Sequence, residues 1–138
     1  MSDSTADFLT RIRNAIIADF DDVVIPSSNF NKQMLKLLER EGYIEGFSTE
    51  QSVPDGRLTR TPFEVLRVQL KYTEDRKPVI SGLKRVSKSG RRQYVTADNV
   101  PRVLGGMGTT IMTTSRGVLS ANEARKQHVG GEVVAFVW

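Results

Sequence analysis

The chain predicts an α+β fold, with an α-β-α-β-β first half and a β-rich second half carrying short helices. Two periodicities carry that reading. Around residues 8–16 and 30–38 apolar side chains recur at spacings of three and four, the stripe of an amphipathic helix. At Leu66, Val68, Leu70 and Tyr72 they alternate with Arg67, Gln69 and Lys71, the period of a half-buried strand. The length of 138 residues suits one ordinary domain, or two small lobes that share a core.

The first helix presents Phe8, Leu9, Ile12, Ala15 and Ile16 inward, with Ser4 or Thr5 as its expected cap. Arg11, Arg13 and Asn14 lie off that stripe. Val23-Val24-Ile25 reads as a short strand closing at Pro26. Ser27 or Ser28 can cap a second helix whose buried face is Phe30, Met34, Leu37 and Leu38, and Gly42 supplies its stop. Tyr43 to Phe47 is the next expected strand. A polar loop with the turn signal Pro54-Asp55-Gly56 then leads into the alternating strand at Leu66. The second half begins near Pro78. Val79 to Leu83 reads as a short strand, and Lys88 to Arg91 as a turn from which Gln93-Tyr94-Val95 pairs back as a hairpin arm. A helical turn is expected from Asp98 to Leu104, ending at Gly105-Gly106. Thr109 to Thr114 is strand-like. Ser120 and Glu123 have the spacing of a capping box for a small helix through Lys126, and Glu132 to Trp138 forms a closing strand.

Charge is unevenly placed. Residues 1–50 hold five basic and nine acidic side chains, whereas residues 57–102 hold twelve basic and four acidic. A basic block of this kind suits a polyanionic partner, or a merely solvated face. There is no cysteine, which excludes disulfides, thiolate metal sites and cysteine nucleophiles. No apolar run approaches the roughly 20 residues that span a bilayer, and the N-terminus lacks a signal-peptide pattern. A soluble intracellular protein without membrane association is the expectation.

Enzymatic readings find little support. The single histidine, His128, has no second histidine with which to build a metal site. A Ser115–His128 pair lacks both a nucleophile elbow and an acidic partner set by spacing. The cluster Gly105-Gly106-Met107-Gly108-Thr109-Thr110 has no Gly-Lys-Ser/Thr ending and precedes a strand instead of opening a helix, so it does not form a phosphate loop. No cofactor, metal or small-molecule substrate is expected.

Binding has better candidates. The segment from Leu83 to Tyr94 carries five basic residues and no acidic one. Lys88, Arg91 and Arg92 would crowd around its turn, where phosphate oxygens relieve their mutual repulsion and Tyr94 can stack on a base or sugar. The second candidate is Thr113-Thr114-Ser115-Arg116-Gly117. Its hydroxyls both donate and accept, Arg116 offers a fork or a flat face, and Gly117 permits close backbone approach. Taken alone, the same residues also fit an ordinary capped turn.

The order of several pieces decides between these. Ala6-Asp7-Phe8-Leu9-Thr10-Arg11-Ile12-Arg13-Asn14-Ala15, Pro26-Ser27-Ser28, Glu41-Gly42-Tyr43-Ile44, Arg85-Val86-Ser87-Lys88, Thr114-Ser115-Arg116-Gly117 and Gly130-Gly131-Glu132-Val133 follow one another along almost the whole chain. In that order they resemble the bacterial-type small-subunit ribosomal protein eight family. The resemblance implies a two-lobed protein, an N-terminal α/β lobe at 1–74 packed on a β-rich RNA-binding lobe at 75–138. It implies a non-enzymatic, cytoplasmic constituent of the small (30S) subunit that binds the central domain of 16S ribosomal RNA and helps assemble the subunit platform. Neighbouring proteins of the S-five and S-twelve families would be partners. Carried onto this chain, it assigns RNA contacts to Thr113, Thr114, Ser115, Arg116 and Gly117, with Tyr94 and Glu132 beside them. Thr10, Arg13, Asn14, Ser27 and Ser28 would contribute from the first lobe. Thr113 and Arg116 replace the Ser and Lys common in that loop, Ser89 a common proline, and Asn29 a common lysine. The Ser52–Pro62 loop is longer than usual, with no role assigned.

Overall fold

A computed structural model describes residues 4–52 and 63–138 of the chain. The elements run α1 (Ser4–Ile17), β1 (Asp22–Pro26), α2 (Asn29–Arg40), β2 (Ile44–Ser52), β3 (Phe63–Leu70), β4 (Leu83–Arg85), β5 (Tyr94–Val95), β6 (Thr109–Thr114), β7 (Gly117–Ser120), α3 (Ala121–Lys126) and β8 (Gly131–Val137). The mixture of helices with antiparallel sheets is the α+β class expected. The turn at Pro54-Asp55-Gly56 lies outside the described residues.

α1 buries Phe8, Leu9, Ile12 and Ala15 as its stripe predicts. It already includes Ser4 and Thr5, which therefore do not cap it. α2 starts where its serines indicate: the Ser28 Oγ accepts the Asn31 N–H at 3.0 Å. Leu35 joins its buried face, and Phe30 is only half-buried. Gly42, at φ +83, ends it in a Schellman motif, with the Gly42 N–H on Glu39 O and the Tyr43 N–H on Leu38 O.

β1, β3 and β2 form one antiparallel sheet in that order. The second sheet runs β4-β8-β6-β7, with β5 also on β8. One core serves both: Phe8, Met34, Leu38, Leu66 and Val68 pack together with Leu83, Ile111, Ala135 and Val137. A smaller cluster of Val100, Met112, Leu119, Ala121 and Ala124 fills the space under α3.

Several second-half expectations change. Residues 79–82 form no strand, because the Ser81 and Gly82 N–H groups bond Trp138 O at 2.6 and 3.0 Å and hold the segment against the end of β8. β4 therefore begins at Leu83. The segment 83–95 is no simple hairpin either. β4 and β5 each pair with β8, at Ala135–Val137 and at Gly131–Glu132, and the basic turn loops out between them. The single helical turn expected at 98–104 becomes two 3₁₀ turns, Ala97–Asn99 and Leu104–Gly106. Pro101 divides them, since it drives the preceding Val100 to extended backbone at ψ 126. β7 is a strand the linear pattern did not announce.

β8 carries one bulge. Ile111 faces Ala135 while Met112 faces Val133, leaving Val134 extra. A bulge reverses which face the following side chains use, with the consequences below.

Candidate nucleic-acid interface

Tyr94 lies opposite Glu132, Glu132 opposite Thr113, and Thr113 opposite Val118. Directly opposed residues share a face, so Tyr94, Glu132 and Thr113 form one row across three strands. The Arg92 guanidinium donates to Glu132 at 3.1 Å, and the Thr113 hydroxyl reaches the other Glu132 oxygen at 3.5 Å. Glu132 is thus a shielded acceptor between a cation and a hydroxyl. The Tyr94 ring is 70% exposed at the end of the row.

At the other end β6 turns into β7 through Ser115 and Arg116. The Thr114 hydroxyl donates to Gly117 O at 2.9 Å and accepts the Arg116 N–H at 3.0 Å, closing the turn on itself. Gly117 has φ +98, the left-handed residue that follows a type I turn in such hairpins. A Cβ there would also stand 2.8 Å from Gln33 Oε1. That oxygen accepts the Val118 N–H at 2.9 Å, so α2 holds the turn from the first half of the chain. Ser115 and Arg116 are exposed, and their side chains have no hydrogen-bond or ionic partner among the described residues.

The basic turn is braced at its base. Buried Ser87 accepts the Gln93 N–H on its Oγ at 2.9 Å, and Lys88 and Arg91 exchange backbone hydrogen bonds across the turn. The Lys88 and Arg91 side chains are exposed and unpaired among the described residues. Arg92 alone points its guanidinium into the Glu132 row.

The first-half candidates lie on α1 and at the start of α2. Thr10 and Asn14 are exposed. The Arg13 guanidinium donates to Leu83 O at 2.6 Å, the Ser28 hydroxyl caps α2, and the Ser27 hydroxyl donates to Glu64. With Lys32 at 2.9 Å, that bond holds the Glu64 carboxyl below the usual carboxylate range. These three side chains brace the fold.

His128 has a structural place. Its φ of +55 puts it at the left-handed position that ends α3, with its N–H on Arg125 O and the Val129 N–H on Ala124 O. No group of three or more His, Asp or Glu side chains among the described residues could hold a metal. Gln33, Ser87 and Gln93 are the positioning residues that the linear pattern missed. Nothing in sequence links Gln33 to a strand 85 positions on.

A family model described as Ribosomal protein S8 matches residues 3–138. The small ribosomal subunit protein uS8 of Lactobacillus delbrueckii subsp. bulgaricus is 47% identical to this chain over 138 residues, 100% of the chain and 98% of the relative. The same protein of Lactobacillus acidophilus is 48% identical, and that of Roseiflexus castenholzii 46%, with the same coverage.

Proposed function

We infer function from one premise: this chain belongs to the ribosomal protein S8 family. It is a structural ribosomal protein, not an enzyme, and binds ribosomal RNA in the ribosome, which is cytoplasmic in bacteria. More specifically, it is a primary binder of the central domain of 16S ribosomal RNA in the small subunit and helps assemble the platform. Proteins of the S-five and S-twelve families are its neighbours there. The β-rich lobe at 75–138 does most of the recognition, and the lobe at 1–74 carries it.

The observation that supports this most is the row of Tyr94, Glu132 and Thr113 leading to a turn whose Ser115 and Arg116 side chains have no partner among the described residues. It offers a stacking surface, a shielded acceptor, a hydroxyl and a cation in sequence, the groups that read a distorted RNA stem. Thr114 and Gly117 shape the turn while Ser115 and Arg116 touch RNA. Lys88 and Arg91 position RNA through phosphates, and Arg92 acts with Glu132. On the first lobe, Thr10 and Asn14 are better placed for contact than Arg13, Ser27 and Ser28, whose side chains are already bonded.

Footprinting on 16S ribosomal RNA tests the assignment, and protection outside the central domain would refute it. Ser115→Ala should weaken a cognate stem by on the order of 1–2 kcal/mol and random RNA little. Equal loss on both RNAs would remove Ser115 from recognition. Arg92→Ala should weaken all RNAs alike and lower the salt slope by about one.

A further inference from the structure

The bulge at Val134 gives the second sheet two unlike faces. Glu132 pairs with Thr113 and Phe136 with Thr110, and residues three apart on β6 point opposite ways. Phe136 also lies opposite Lys84 on β4. The Phe136–Lys84 pair is therefore on the face turned away from the Tyr94–Glu132–Thr113 row. Beside that pair, Lys84, Arg85, Lys88, Arg91 and Gln93 line a groove of about 260 Å³ with half-buried Phe136 among them, and no acidic residue among the described ones contributes. The Lys84, Lys88 and Arg91 side chains have no partner among the described residues. The basic turn is thus divided, with Arg92 bonded to Glu132 while Lys88 and Arg91 line the groove.

We propose that this groove is a second RNA site, taking a single-stranded segment whose phosphates meet Lys84, Lys88 and Arg91 and whose base stacks on Phe136. The inference rests on the RNA-binding reading above and extends it to the opposite face. Charge complementarity selects a polyanion. An aromatic face among cations selects one with unstacked, single-stranded bases, because a base inside a helix is already stacked on both faces. Gln93 supplies donors and acceptors for a base edge. The Ser87–Gln93 bond fixes the groove's rim before ligand arrives, so little ordering accompanies binding. The protein would then hold two RNA segments at once, one on each side of a single sheet.

The test adds a labelled oligouridylate of about ten nucleotides, within the span one small binding face covers, to the full chain saturated with a central-domain stem. Simultaneous binding is expected. Phe136→Leu should weaken the oligonucleotide roughly ten-fold. Lys84→Ala should reduce its salt slope by about 0.7. Stem affinity should stay unchanged in both. Ser115→Ala should do the reverse, weakening the stem and sparing the oligonucleotide. Thermal midpoints report whether Phe136→Leu folds, and exposed Lys84 provides a variant free of that concern. Displacement of the oligonucleotide by the stem, or unaltered oligonucleotide binding in both variants, overturns the proposal. Wild-type protein that binds the stem but not the oligonucleotide also sinks it while sparing the stem assignment; the opposite result sinks the stem assignment alone.

Discussion

Gln33 touches the recognition turn without belonging to it. Its oxygen holds the Val118 N–H, and its carbonyl occupies the space beside Gly117. Gln33→Ala should cost about 1 kcal/mol in denaturant unfolding. It should also weaken cognate RNA by loosening the turn, although Gln33 contacts no RNA in this reading. Gly131 is stricter: a Cβ there would lie 2.2 Å from Thr113 O, a backbone atom that cannot swing aside. Gly131→Ala should therefore destabilise by about 1–3 kcal/mol, read as a lower urea midpoint. At this scale the sequence announced the hydroxyls, Arg116 and Gly117, since residue chemistry is local. It was silent on Gln33 and on the Glu132–Arg92 bond, because tertiary pairing carries no local mark.

Secondary elements were legible where caps or periodicity specify them. Ser28 and Gly42 bound α2, and the Ser120–Glu123 capping box starts α3, as spacing predicts. Strands were missed or mispaired where they depend on a distant partner: β7 has no local mark, and β5 falls where a hairpin arm is expected but pairs with β8. β4, β5 and β7 are two to four residues long, and only their partners β8 and β6 define them. α3 also offers a pH test. Burial raises the Glu123 carboxyl, but the Ser120 N–H and the Arg40 guanidinium at 2.6 Å more than offset it, leaving it below the usual range. A carboxyl lowered by folding adds stability above its unfolded value, near about 4.3, and loses it as pH falls through the folded one. Wild-type stability should thus fall between about pH 5 and 3 more steeply than that of Glu123→Gln, as urea midpoints would show. His128→Gly should raise stability by about 1 kcal/mol, because glycine takes the left-handed position without strain.

For the whole molecule, two sheets share one core, and polar bonds also tie the halves, among them Arg13 to Leu83, Gln33 to Val118, Arg40 to Glu123 and Tyr43 to Thr109. Ile111→Ala, at a fully buried position in that core, should cost about 2–5 kcal/mol. Circular dichroism and Trp138 fluorescence should still report a single coincident transition; two separated transitions would mean that the halves unfold independently. The basic middle of the chain gave the polyanion partner in advance, but its division between Glu132 and the groove needed the tertiary structure. β8 has a further consequence. It pairs with β4, β5 and β6, all of which precede it in the chain. On a translating ribosome the second sheet therefore has no centre until β8 emerges, so Tyr94, Thr113 and Glu132 align only then. Fragments released earlier should not compete with finished protein for RNA.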